Sequence, residues 1–290
     1  MAEVDVRVLR EAHRPSLAAF LDSRPDTHLF LRSNLARGRL EDGGKPFDGT
    51  WVGTARDDGT VTSVAGLFWN GVCLLQMPAH AHEILDMLAG AAPRELVELC
   101  GPTEQVEEAL RHGLVRDRSL RGRHDATVMR LSLGELAVPA ALAGKSVDTR
   151  PAMGEELAML GDWYAAFNHE VFDEARSPES DLRARQWIRA IHDERRDQVA
   201  TVDDRPVAYC AITGQLDSEV NIGAVYTPPE LRGQGYARCV VAGILQEAAR
   251  DGVARACLTA LKDNPASLAA YRALGFRPAH DWTITRFFPA

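Results

Sequence analysis

The chain has 290 residues, 46% of them hydrophobic and 26% charged, with a formal charge of −8. That length is about twice the commonest domain size, so two domains are expected, and the apolar content excludes a disordered or fibrous protein. Apolar runs fall far short of the ~20 residues a membrane helix needs, and the acidic balance argues against nucleic acid or an anionic membrane as partner.

Taken in order, Met1-Ala2-Glu3-Val4-Asp5 has neither the basic start nor the apolar stretch of a secretion signal, so a cytoplasmic location is expected. Val4-Asp5-Val6-Arg7 returns as Val147-Asp148-Thr149-Arg150, and Val64-Ala65 returns as Val207-Ala208, both 143 residues later. His124-Asp125-Ala126-Thr127-Val128-Met129-Arg130-Leu131 returns as His280-Asp281-Trp282-Thr283-Ile284-Thr285-Arg286-Phe287, now 156 residues later. Three matches in one order imply a duplicated chain, with domains at 1–140 and 141–290 and extra residues ahead of the last strand of the second copy. Each half reads as strand, helical region, two or three strands, helix, strand, helix, strand. In the second half, strands are predicted near 147–150, 197–202, 206–215, 220–226, 256–261 and 283–288, and helices near 154–170, 181–192, 235–251 and 265–274. The fold class is therefore α/β with a mixed sheet.

Other features carry less. Cys73, Cys100, Cys210, Cys239 and Cys257 are scattered without a CxxC pair and read as reduced core thiols. His80-Ala81-His82 lacks a third ligand nearby, so no metal is expected. Arg111, Arg116, Arg118, Arg121 and Arg123 read as a solvated basic loop.

The second half places Arg232-Gly233-Gln234-Gly235-Tyr236-Ala237 between a strand and a long helix. Glycines at such a turn let a ligand reach the main chain, and the free N–H groups of the first helical turn favour an anion, so the turn reads as a pyrophosphate cradle with Arg232 beside it. A tight turn with a surface arginine satisfies the same pattern. No Gly-Lys-Ser/Thr follows, which excludes a Walker-type loop. Downstream, Asn264 suits an N-cap, Pro265 the first helical position and Gly275 a helix stop.

These residues resemble the GNAT superfamily of N-acetyltransferases. Arg232 to Ala237 fit its Arg/Gln-x-x-Gly-x-Gly/Ala signature, and the run from Asn264 through Tyr271 to Leu274-Gly275-Phe276 resembles its next block. The resemblance covers about half the chain and implies two tandem GNAT-like domains, acetyl-CoA or another acyl-CoA as co-substrate, and an amine of a small molecule or peptide as acceptor. It further implies that the cofactor arm lies where the fourth and fifth strands splay, along Val225, Tyr226 and Thr227, with Arg232, Gly233, Gln234, Gly235, Tyr236 and Ala237 at the phosphates and Asn264 on the arm.

Acyl transfer to an amine needs a proton acceptor, a polarised carbonyl and a proton for the leaving thiolate. Tyr271 matches the position of the family's proton donor, although Leu268 and Leu274 on its helix also suit a core aromatic. Glu219, ahead of the fourth strand, is the expected base, with Glu170 and His169 as other candidates and an ordinary strand-end role open. Trp163, Tyr164 and Phe167 suit either the core or an acceptor pocket. In the first half, Leu74-Leu75-Gln76-Met77-Pro78 runs to His82 without a glycine turn or arginine, and Gly101-Pro102-Thr103 to Gly113-Leu114 echoes the second block without its tyrosine. That copy is expected to keep the fold without binding the cofactor. A non-catalytic acyl-CoA sensor is the competing function, and aminoacyl transfer from tRNA is disfavoured by the phosphate loop and the acidity.

Overall fold

The computed structural model describes residues 5–24, 29–56, 58–112, 115 and 118–288. Met1 to Val4, which hold the chain start and part of the first repeat match, Gly113-Leu114 of the first-half echo and Arg116 of the basic stretch lie outside them.

Two units form, one of residues 1–127 with 279–290 and the other of 128–278. The first contains β1 (Asp5–Val8), α1 (Arg14–Asp22), α2 (Leu29–Arg37), β2 (Gly49–Ala55), β3 (Val61–Phe68), β4 (Val72–Gln76), α3 (Ala81–Ala91), β5 (Glu98–Pro102), α4 (Thr103–Leu110) and the start of β6 (Leu120–Ser132). The second contains the end of β6, α5 (Ala140–Ala143), β7 (Asp148–Arg150), α6 (Leu157–Phe172), α7 (Pro178–Asp193), β8 (Asp197–Val202), β9 (Arg205–Leu216), β10 (Glu219–Tyr226), α8 (Tyr236–Arg250), β11 (Arg255–Leu261) and α9 (Pro265–Ala273). The last strand, β12 (Arg277–Phe287), passes into the first unit.

The units repeat one topology. Strand order is β1-β2-β3-β4-β5-β12 in the first and β7-β8-β9-β10-β11-β6 in the second. β1–β2, β2–β3, β3–β4, β5–β12, β7–β8, β8–β9 and β9–β10 pair antiparallel, whereas β4 with β5 and β10 with β11 are parallel and joined by α3 and α8 respectively. A parallel pair needs such a crossover, which is why each copy has a helix at this point.

The strand bordering each set is contributed by the other half of the sequence. Trp282 to Arg286 of β12 pair with Pro102 to Glu98 of β5, and Phe287 is buried with Leu75, Ile84 and Leu99. Met129 and Leu131, at the far end of β6, are buried with Val240, Leu258 and Phe276. The expected division at 140/141 therefore differs from the observed units. Two strands that resemble each other closely in sequence have exchanged places, and each carries the apolar residues that its adopted core buries.

In the second unit the period-two alternation of β9 decides which helices cover which face. Ala208, Cys210 and Ile212 pack with Val240, Val241, Ile244 and Leu245 of α8, whereas Tyr209 and Ala211 pack with Leu160 of α6 and with Ile188 and Ile191 of α7. Each such aliphatic side chain contributes about 1.5–3 kcal/mol by leaving water. All five cysteines are buried free thiols. Among the described residues of the basic stretch, Arg118 pairs with Glu95 and Arg123 with Glu107 and Asp125. No helix among the described residues is long and apolar enough to cross a membrane.

Candidate active site

The ladder between β10 and β11 holds from Glu219↔Arg255 to Ile222↔Leu258 and then stops, although β10 continues to Tyr226 and β11 to Leu261. On the other side of β10, pairing with β9 runs to Gly223 and resumes at Tyr226. Ala224 and Val225 thus have no register partner in either neighbour, and Ala224 has a φ of 52°. A left-handed non-glycine residue inside a strand is uncommon, and the bulge it makes takes main-chain groups out of the ladder. The β10–β11 ladder thus ends short of Val225, Tyr226 and Thr227.

Beside it, Arg232 to Gly235 lead into α8. Gly235 is the N-cap with a φ of 82°, and no side chain caps this end of the helix. Gly233 has a φ of 80° and open space where a Cβ would stand. An uncapped helix start over a side-chain-free surface suits an anionic group. Thr227 Oγ1, at the end of β10, is buried without a hydrogen-bond partner. These features fit a phosphate-bearing ligand whose arm enters the gap.

Val225, Tyr236 and Tyr271 each pack, partly buried, against the apolar cluster that contains Val240, Leu258 and Phe276. Tyr271 is partly buried, its ring 6.1 Å from that of Phe276, and enclosure of its hydroxyl pushes its pKa above the ordinary tyrosine value. Asn264 Oδ1 accepts from Ser267 N–H at 3.0 Å, so the capping role is realised and the amide nitrogen is the group left to serve a ligand. Tyr236 O–H donates to Gln234 Oε1 at 2.9 Å, and Ala237 lies in the first turn of α8.

Glu219 stands elsewhere. It occupies the first position of β10, seven residues from Tyr226 and roughly 20 Å away at strand rise. Its side chain is 1% exposed and accepts from Arg130 at 2.7 Å, with Arg255 at 3.8 Å. The expectation of a base at Glu219 is corrected: the register places it at the wrong end of the strand, in a structural ion pair. Glu219→Gln is expected to lower stability by about 2 kcal/mol through the lost charged hydrogen bond while leaving turnover unchanged below the melting range. Thermal melts beside steady-state assays check this, and lost turnover at unchanged stability would restore the base.

Glu170, at the end of α6, joins the site instead. Its Oε1 accepts from the Tyr226 hydroxyl at 2.9 Å and its Oε2 from Arg232 Nη2 at 2.6 Å, while Arg232 Nε donates to the Thr227 carbonyl at 2.9 Å. Burial and Glu170 push the Tyr226 phenol up to about 12, so it remains a neutral donor. His169 is engaged with the Glu174 carbonyl at 3.0 Å. The aromatics of α6 divide: Tyr164 stacks on Trp187 at 3.9 Å over the core, and Trp163 reaches Tyr226 at 6.3 Å. Nothing in the sequence links Glu170 to positions 56 and 62 residues downstream; only the fold does.

In the first unit the connection from β4 to α3 is Met77-Pro78-Ala79-His80, with His80 at a φ of 60° in the place of a glycine. It offers no glycine turn and no arginine. Among the described residues no group of three potential metal ligands occurs.

Residues 157–276 match the model of the acetyltransferase (GNAT) family. No curated protein matches the chain. Among solved structures, a Drosophila protein is 14% identical with a TM-score of 0.70, covering 98% of each chain. A GNAT-family acetyltransferase from Colwellia psychrerythraea is 14% identical with a TM-score of 0.56, covering 98% of this chain and 100% of that one. A tandem GNAT protein from the clavulanic acid biosynthesis pathway is 13% identical with a TM-score of 0.58, covering 99% of this chain and 100% of its own. Residues 157–276 of the second unit are thus similar to the acetyltransferase (GNAT) family, in a chain whose fold is similar to that of a tandem GNAT protein.

Proposed function

We propose that the chain is an N-acyltransferase that moves an acyl group, most simply acetyl, from acyl-CoA to an amine of a small molecule or peptide by direct transfer in a ternary complex. The observation that carries this reading is the end of the β10–β11 ladder at Ile222↔Leu258 directly beside the uncapped start of α8. Bound acyl-CoA supplies the acyl group as an activated thioester. Main-chain N–H groups of Gly233 to Ala237 would hold its phosphates, with Arg232 adding charge, and Val225, Tyr226, Thr227 and Asn264 would line its arm. Main-chain groups released by the bulge at Ala224 are positioned to polarise a carbonyl in the gap.

Tyr271 is assigned the proton delivered to the departing thiolate, a role that its raised pKa suits because the phenol stays protonated. Glu170 takes the place first given to Glu219, as the carboxylate that receives the amine proton. Its hydrogen bond to Tyr226 fixes one oxygen at the mouth of the gap. Glu170→Gln keeps an acceptor for Tyr226 and loses the base. It is expected to lower kcat/KM for the amine about a hundredfold. An unchanged kcat/KM would exclude Glu170.

The first unit is proposed to lack cofactor binding, given the connection at Met77 to His80. A cytoplasmic setting is proposed on the five unbridged thiols, which suit a reducing compartment. The reading is tested by thiol release from acetyl-CoA across a panel of amines, with calorimetry of acetyl-CoA binding on the same protein. Binding without release for any amine would favour the sensor function.

A further inference from the structure

Arg232 stands one residue ahead of Gly233, yet its guanidinium is committed to partners outside the glycine turn. Its Nε donates to the Thr227 carbonyl at 2.9 Å, its Nη2 donates to Glu170 Oε2 at 2.6 Å, and the group lies 5.6 Å from the Tyr226 ring centroid. Two of its three nitrogens are thereby engaged by the end of β10 and by α6. The backbone that carries it is stiff. Pro228 and Pro229 have a restricted φ, Leu231 N–H donates to the Pro228 carbonyl at 2.9 Å, and Arg232 N–H donates to the Pro229 carbonyl at 3.3 Å.

Glu170 is a residue that needs such a partner. It lies in the last turn of α6, just ahead of the C-cap Asp173, where the carbonyl end of the helix disfavours a carboxylate. A glutamate at an exposed helix end also samples several rotamers, and that freedom has to be given up before its carboxylate can meet an amine. Two bonds fix it beforehand: the hydroxyl of the buried Tyr226 holds Oε1 at 2.9 Å, and Arg232 holds Oε2 at 2.6 Å. The side chains of Arg232 and Glu170 are 47% and 36% exposed, and exposed ion pairs contribute little to stability. What the two bonds supply is a fixed carboxylate plane.

We propose that Arg232 is a positioning residue for Glu170, an inference that rests on the acyl-transfer reading with Glu170 as the base. Together with Tyr226 it sets the carboxylate in the orientation that receives the amine proton, and from its place beside Gly233 it ties the phosphate loop to the base. Displacing a reacting group by about 1 Å costs roughly a hundredfold in rate, so a carboxylate released to rotate loses far more activity than the exposed pair contributes to folding. Arg232→Gln removes the clamp and leaves Glu170 and the glycines in place.

Four forms of the full chain test the assignment: the parent, Arg232→Gln, Glu170→Gln and the double variant. In Arg232→Gln, calorimetric acetyl-CoA affinity is expected to change by less than about threefold while kcat/KM for the amine falls about ten- to a hundredfold. The double variant is expected to be no slower than Glu170→Gln alone, because a clamp without its base has nothing to hold. Labelling of Glu170 by a water-soluble carbodiimide with glycine ethyl ester, read by peptide mass spectrometry without substrate, is expected to rise severalfold in Arg232→Gln. Thermal melts of all four are expected to overlay closely, which separates a lost rate from a lost fold. An acetyl-CoA affinity weakened about tenfold or more in Arg232→Gln would make the arginine a phosphate ligand and overturn the proposal, as would unchanged labelling or additive losses in the double variant. Full turnover in Glu170→Gln would remove the base on which the inference rests, a failure distinct from additive losses beside an active base.

Discussion

Gly235→Glu is expected to abolish acetyl-CoA binding, with no saturable heat where the parent protein gives a clear isotherm. Three effects act together at this position. A non-glycine residue at a φ of 82° costs about 1–2 kcal/mol. Its Cβ would stand 2.9 Å from Arg238 Nη2, a contact that the flexible end of the arginine relieves. The decisive effect is the carboxylate. Placed at the N-cap of α8, it competes for the N–H groups that the phosphates require and repels them by charge. The same carboxylate stabilises the helix start, which offsets the backbone strain and lets the domain stay folded, as circular dichroism can verify. A loss of more than about a hundredfold in affinity, roughly 3 kcal/mol, is expected, with a smaller loss for Gly235→Ala, which brings strain without charge. Unchanged affinity in the glutamate variant would remove the phosphate-loop assignment.

Much of this site is legible in the sequence because its signals are local. The strand placed at 220–226 is observed at Glu219–Tyr226, and the helix placed at 235–251 at Tyr236–Arg250. Both follow from apolar periodicity and from glycines whose positive φ the turn demands. What escaped the sequence is non-local. Glu219 precedes a strand, and neither that nor its charge says that Arg130 will cover it. Glu170 reaches Tyr226 and Arg232 only once α6 has packed beside β10. The seam shows the same limit. The likeness of His124–Leu131 to His280–Phe287 identifies two equivalent strands, but equivalence is what allows them to exchange, and only the cores that bury Leu131 and Phe287 decide where each belongs.

Tyr271→Phe is expected to separate binding from chemistry. The substitution keeps the ring and its packing against Phe276, so stability should change by less than about 1 kcal/mol and acetyl-CoA affinity by less than about twofold. The hydroxyl alone is lost. Because enclosure holds its pKa above the ordinary tyrosine value, the phenol carries its proton across the whole working pH range and can deliver it to a thiolate as that charge forms. Without it, water would have to supply the proton inside a gap bordered by Val225, Tyr236 and the apolar cluster behind them. A general acid of this kind is worth about 10²–10⁴ in rate, so kcat should fall by at least a hundredfold while the calorimetric binding curve overlays that of the parent. The gap between parent and variant should stay constant while the parent's phenol holds its proton and narrow only at a pH high enough to remove it. Full activity would remove Tyr271 from the mechanism. Equal losses of binding and turnover would assign it to the wall of the cofactor channel, leaving the proton to be delivered by another group.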